Sequence, residues 1–61
     1  MKKYYLRVLD GTSNGYTTSV ICDRLDVIGR IYYFEIKKND KYTVKSYYPV
    51  DRTIIESIED L

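Results

Sequence analysis

Ile31-Tyr32-Tyr33-Phe34-Glu35-Ile36-Lys37-Lys38-Asn39-Asp40-Lys41-Tyr42-Thr43-Val44-Lys45-Ser46-Tyr47-Tyr48 is the stretch on which the fold turns. Its first half has the two-residue period of a strand, with Tyr32, Phe34 and Ile36 on one face and Ile31, Tyr33 and Glu35 on the other. The Tyr32, Phe34, Ile36 face is expected to point at the core. Lys38-Asn39-Asp40-Lys41 then interrupts the period with Asn-Asp at its centre, a pair suited to a compact hairpin turn. On the returning strand Tyr42, Val44 and Ser46 alternate with Thr43, Lys45 and Tyr47. A β-hairpin over residues 31–48 follows.

Upstream, Lys3 to Asp10 alternates as well, Tyr4, Leu6 and Val8 against Tyr5, Arg7 and Leu9. Both faces are similarly apolar, so alternation alone leaves open which one is core. Asp10-Gly11-Thr12-Ser13-Asn14-Gly15 is a cluster of turn residues. Tyr16 to Cys22 is β-branched and reads as a strand, Asp23-Arg24 interrupts it at an expected bend or bulge, and Leu25 to Ile28 resumes it. Gly29-Arg30 reads as the corner into the hairpin. Downstream, Pro49 is expected to end the strand at Tyr48. Two readings of the tail compete: a helix capped by Asp51 with Ile54, Ile58 and Leu61 on one face, or a tight turn at Val50 to Thr53 followed by a last strand, Ile54 to Glu59. The isoleucines favour the strand, and so short a helix would be weak alone.

Composition points the same way. Eight of the 61 residues are tyrosine and none is alanine, a bias toward strands and away from helices. The length allows one domain, residues 1–61, with a small core. One cysteine, Cys22, excludes an internal disulfide, and the lack of histidine removes the commonest transition-metal ligand. No acidic ladder of calcium-loop spacing is present, so neither metal nor cofactor is expected. The fold class expected is mostly β: a curled antiparallel sheet or SH3-like barrel of about four or five strands, with a short C-terminal helix or 3-10 turn as the variable part.

Gly29-Arg30-Ile31-Tyr32-Tyr33-Phe34, the lysine-rich hairpin, and Tyr48-Pro49-Val50 followed by Ile54-Ile55-Glu56-Ser57-Ile58-Glu59 together resemble the small SH3-like β-barrel proteins encoded by phages and prophages. In those proteins a strand ending in Tyr-Pro or Phe-Pro leads through one turn into a final Ile-x-Ser-Ile-Glu strand. The resemblance spans about the last half of the chain and brings no catalytic residues with it. It implies origin in a mobile element and an accessory, binding role, with a host protein that the chain inhibits as one partner.

No catalytic constellation emerges from the residues. Without histidine the usual Ser-His and Cys-His pairs cannot form, and Cys22 sits in a strand-like run where it reads as a small buried hydrophobe. Asp23 with Asp26, or Glu56 with Glu59, are pairs of acids with nothing beside them to shift their proton affinity, and read as a solvated charged edge. The chain is therefore expected not to be an enzyme. A lone cysteine without a secretion signal fits the cytoplasm, that of the host for a phage-encoded chain, and no apolar run approaches the roughly 18 residues of a membrane span.

Two patterns suggest binding. Tyr4-Tyr5, Tyr32-Tyr33 and Tyr47-Tyr48 are adjacent in presumed strands, so each pair puts one ring on each face of the sheet. Tyr5, Tyr33 and Tyr47 are the rings assigned outward, as contacts for a protein partner, since exposed tyrosine supplies large contact area at low entropic cost. Equally, tyrosine is a comfortable strand-surface residue without any partner. Lys37, Lys38, Lys41 and Lys45 cluster around the hairpin turn beside Tyr42 and Tyr47, a pattern that suits single-stranded nucleic acid. The same lysines would protect a free sheet edge, and the net charge of +1 is low for a nucleic-acid protein. Protein binding is the leading expectation and single-stranded nucleic acid the second. Capture of a small nucleotide signal between subunits, and a homodimer, stay open.

Overall fold

Alternating apolar residues separated by glycine and Asn-Asp turns can bury their stripes only by curling one sheet over itself, and the chain does so. The computed structural model describes residues 1–61. Six strands follow in order: β1 (Lys2–Val8), β2 (Tyr16–Cys22), β3 (Arg24–Ile28), β4 (Ile31–Lys38), β5 (Lys41–Pro49) and β6 (Thr53–Asp60). A single 3-10 turn, Val50–Arg52, joins the last two. All pairings are antiparallel and make two three-stranded sheets, β2-β1-β6 and β3-β4-β5.

The sheets are linked through Asp23, where one long run of sequence bends from the first sheet into the second. The Asp23 N–H donates to the Glu35 carbonyl at 2.9 Å. Its carboxylate Oδ2 accepts the Lys37 N–H at 2.7 Å. A charged residue inside an apolar run is thus placed where a side-chain acceptor must replace a ladder carbonyl. The expected bend near Asp23 is present, and because it splits the run in two the chain has six strands, one more than expected. The sheets do not close into a barrel, so the curled sheet is the form adopted.

Both hairpin turns in the second sheet are two-residue turns whose hand suits strand twist. Asn39 and Asp40 take φ of 51° and 63°, as a type I′ turn requires. Gly29 takes φ of 61° at the first central position of the Gly29-Arg30 turn. In the β1–β2 loop, Asp10 Oδ1 accepts from the Thr12 hydroxyl at 2.7 Å and the Thr12 N–H at 3.1 Å. These bonds, the hydroxyl's first, hold the Asp10 carboxyl below its ordinary range.

Phe34 is the hub of the core and is fully buried, as are Leu6 and Cys22. Tyr4 from the first sheet meets its ring edge-on at 5.3 Å, and Tyr48 does so from β5 at 6.0 Å. Leu25, Tyr32, Ile36 and Ile55 complete the shell. The Tyr32, Phe34, Ile36 face is therefore the inward one, as alternation implies. For β1 the structure supplies what alternation left open: Tyr4, Leu6 and Val8 are inward. The core is small. The surface of 4386 Å² is close to the roughly 4,200 Å² expected of a folded monomer of this mass.

Of the two readings of the tail, the turn followed by a strand, which the isoleucines favour, is the one adopted and the Asp51-capped helix is absent, because Ile55 packs on the core from strand β6 while Ile54 and Ile58 flank it at the edge. Two local expectations are corrected. Strand β5 runs through Pro49 and does not stop at Tyr48; β5 is an edge strand, where a missing N–H breaks no ladder. Finally, the register between β4 and β5 slips after Phe34, which pairs with Ser46 while Glu35 pairs with Val44. That bulge at Lys45 resets the alternation, so Tyr42 and Val44 lie on the face of Tyr47 rather than opposite it.

Candidate functional site

Strand β4 carries its odd-numbered residues, Ile31, Tyr33, Glu35 and Lys37, on the face turned away from Phe34. Cross-strand register extends each into a row. Ile28, Ile31 and Pro49 form the first, Asp26, Tyr33 and Tyr47 the second. Arg24, Glu35 and Val44 form the third, and Lys37 with Tyr42 the fourth. This outer face of the second sheet is the most chemically varied surface of the chain. Apolar groups hold one end, a tyrosine pair the middle and charges the other end.

The Tyr33 and Tyr47 rings lie 6.4 Å apart, tilted by 37°. Tyr33 is half-buried, while Tyr47 is 68% exposed, the most exposed of the large hydrophobic side chains. Beside them Ile28 is 61% exposed. One row further, Arg24 Nε donates to Glu35 Oε1 at 2.8 Å, and its guanidinium lies 3.7 Å from the Tyr42 ring centroid. The Glu35 hydrogen bond raises the proton affinity of Arg24 further, so the group is a fixed cation. Lys37 approaches the same ring at 5.8 Å. A planar cation held by a carboxylate and laid on a ring is pre-ordered for contact, and loses less side-chain freedom on binding than a free one.

Each tyrosine pair divides between core and surface. Tyr4, Tyr32 and Tyr48 surround Phe34; Tyr5, Tyr33 and Tyr47 point outward. The three outward rings do not share one surface. Tyr5 belongs to the first sheet, where its hydroxyl donates to Glu59 at 2.8 Å and Lys3 lies over its ring at 4.9 Å. It lines a shallow open depression of about 340 Å³ with Thr17, Thr18, Ser19 and Glu56. Arg7 makes a 3.1 Å ion pair with the Glu56 of that lining.

The lysine cluster is likewise divided. Lys37, Lys38 and Lys41 stand exposed around the Asn39-Asp40 turn next to Tyr42. Lys45 instead sends its ammonium back across the molecule to donate to the Ile21 carbonyl at 2.9 Å. Asp26 and Glu35 sit on the same outer face as Lys37 and Tyr42, and a phosphate chain laid there would meet them. Cys22 lies within the core, where burial pushes its thiol up.

Sequence reasoning placed Ile31 with Tyr33 and Glu35 but did not single out Arg24, Ile28 or Pro49 as members of this face. A signal for them was available. Counting alternation back from Ile31 across the two-residue Gly29-Arg30 turn places Ile28, Asp26 and Arg24 on the face of Tyr33. Compared with known protein families, curated proteins and solved structures, the chain matches none.

Proposed function

We propose that the chain is a non-enzymatic binding protein whose partner is another protein, docked on the outer face of the β3-β4-β5 sheet. The observation that carries this reading is the outward Tyr33–Tyr47 pair, half-buried at Tyr33 and exposed at Tyr47, beside Ile28, Ile31 and Pro49, with the ordered Arg24 on Tyr42 at the other end. Protein interfaces concentrate their binding energy in tyrosine and arginine surrounded by apolar contacts. A phage or prophage accessory protein acting on a host protein is the biological setting that the Tyr48-Pro49-Val50 pattern and the strand beyond it suggest. Replacement of Tyr33 and Tyr47 together by serine is expected to abolish capture of a partner while Tyr16→Ser, on the other sheet, retains it. Pull-down with all three proteins, checked for fold by circular dichroism, reads the difference. Equal capture by all three would remove the face from consideration.

Single-stranded nucleic acid is the second reading, favoured by the stack of Arg24 and Lys37 on Tyr42 next to Lys38 and Lys41. Titration with a short oligonucleotide at rising salt separates it from the first. Phosphate contacts lose affinity steeply as salt rises, whereas an aromatic protein interface does so weakly.

A further inference from the structure

A strand at the margin of a sheet has main-chain groups without partners, and the turns fix which residues carry them. At the two-residue Asn39-Asp40 turn Lys38 and Lys41 close the hairpin as a bonded pair, so Thr43, Ser46 and Tyr48 also bond to β4. The N–H and C=O groups of Tyr42, Val44 and Tyr47, and the C=O of Pro49, therefore point away from β4 at the free edge of β5. The side chains of these residues all lie on the outer face. Tyr42, Val44 and Tyr47 are 40%, 51% and 68% exposed.

Antiparallel pairing, the more stable kind per residue, bonds only where two facing residues both carry free groups, and their side chains then share a face. The other margins are β2, β3 and β6. Those of β2 carry their free groups on Thr17, Ser19 and Ile21, on the outer face. In β3 they fall on Leu25 and Val27, and in β6 on Ile55, Ile58 and Asp60, all on the inner face. Of the edges in this chain, only β2 or another β5 can extend β5 antiparallel with faces matched. The bulge at Lys45 decides between them. It spaces the free residues of β5 at 42, 44, 47 and 49, whereas those of β2 recur every second residue. A regular strand matched to Tyr42 and Val44 is out of step at Tyr47, and the Ile21 carbonyl of β2 already accepts from Lys45. The β5 spacing reads the same in both directions, so a second β5 laid antiparallel matches it throughout.

We propose that the chain forms a two-fold dimer through β5, with the dyad between Lys45 and Ser46. Val44 of each copy faces Tyr47 of the other, and the two exchange both main-chain bonds. Tyr42 faces Pro49, whose carbonyl accepts the Tyr42 N–H. At the dyad the two bulges face one another and the ladder is interrupted there, as it is between β4 and β5. The outward side chains meet across the seam as valine with tyrosine and tyrosine with proline, and aromatic–β-branched pairs of this kind stabilise sheets. Like charges are not opposed. Lys41 stands across from Val50 of the second copy, and each Lys45 ammonium is turned to Ile21 of its own chain. Strand β6 also has a bulge, but two copies of it would set Glu56, Glu59 and Asp60 against their equivalents. A bulge and a proline ordinarily guard an edge; here the bulge turns away regular strands and admits its own copy. Contact of one patch with itself closes at two chains. The two β3-β4-β5 sheets become one, and the pairing does not depend on what their joined outer face binds.

Light scattering on the full chain tests the dimer, with Val44→Pro as the decisive variant. Proline there removes an N–H that points away from β4, so the hairpin ladder is kept. The unaltered protein is expected to have the mass of two chains. Val44→Pro, with its fold checked by far-ultraviolet circular dichroism, should weaken association about ten-fold or more, since each copy loses a bond. Thr17→Pro, the same change on the edge of β2, should retain the dimer. A mass of one chain up to about millimolar protein, or a folded Val44→Pro protein that dimerises like the parent, would overturn the proposal. Cross-linking reads the register without that variant, Cys22 being buried. Val44→Cys and Tyr47→Cys proteins mixed under oxidised glutathione should give mixed disulfides in excess over like-with-like dimers, because only the unlike pair comes within reach. Predominance of like-with-like dimers, or no cross-linking, would overturn it equally.

Discussion

Gly15 illustrates how strictly one position can be set by backbone geometry. Its φ is +65°, and a Cβ built on it would stand 2.1 Å from the Val8 carbonyl oxygen. Gly15→Ala therefore has to shift main chain at the start of β2, and a loss of about 1–3 kcal/mol is expected. The urea midpoint measures it, with Gly11→Ala, which meets no atom, as the milder comparison. Cys22 gives a second residue-scale expectation. Burial raises the pKa of its thiol in the folded chain, so the unfolded chain releases the proton first. Stability from this group is complete below the ordinary thiol pKa of about 8.5 and declines as pH rises beyond it. Urea midpoints between pH 7 and 9.5 should fall more steeply for the unaltered protein than for Cys22→Ala.

Among the elements, the β4–β5 hairpin was readable from its period and its turn. The lysines and Asn-Asp at 38–41 are polar, and two residues of positive φ suffice to join the strands. The left-handed conformation is less comfortable for Asp40 than for glycine. Asp40→Gly is expected to stabilise the chain by about 0.5–1 kcal/mol, seen as a higher urea midpoint with unchanged slope. The bulge at Lys45 was not readable, because nothing in Val44-Lys45-Ser46 breaks the alternation. At the bulge the Lys45 ammonium reaches the Ile21 carbonyl, on a strand remote in sequence. The bend at Asp23 was visible as a charged interruption, yet its purpose, to satisfy Glu35 and Lys37 across the sheet, depends on which strand lies alongside.

For the whole molecule the deciding quantity is how little is buried. Seven residues fall in the buried class, and Phe34 connects the two sheets. A 61-residue domain has a total stability of roughly 3–9 kcal/mol. Loss of a buried phenylalanine costs about 3–5 kcal/mol. Phe34→Ala is thus expected to leave much of the population unfolded at room temperature, shown by loss of the far-ultraviolet strand signal and of amide dispersion. Tyr47→Ser, at an exposed position on the outer face, should leave both signals intact. A cooperative Phe34→Ala protein as stable as the parent would mean that the sheets hold together by their ladders alone.

Strand content, turn positions and the inward side of β4 are local properties. They depend on the two-residue period, on residues that accept positive φ and on the absence of alanine, all carried within a few positions of the chain. Division of each tyrosine pair into one inner and one outer ring follows from the same period. Which outer rings share a surface is a different matter. Tyr33 and Tyr47 meet because β4 and β5 are neighbours, while Tyr5 is set apart because Asp23 bends the chain into a second sheet. Arg24 reaches Tyr42 only because β3 and β5 flank β4 and a bulge turns Tyr42 outward. Such contacts depend on register and on sheet order, which long-range packing around Phe34 sets and local alternation does not encode.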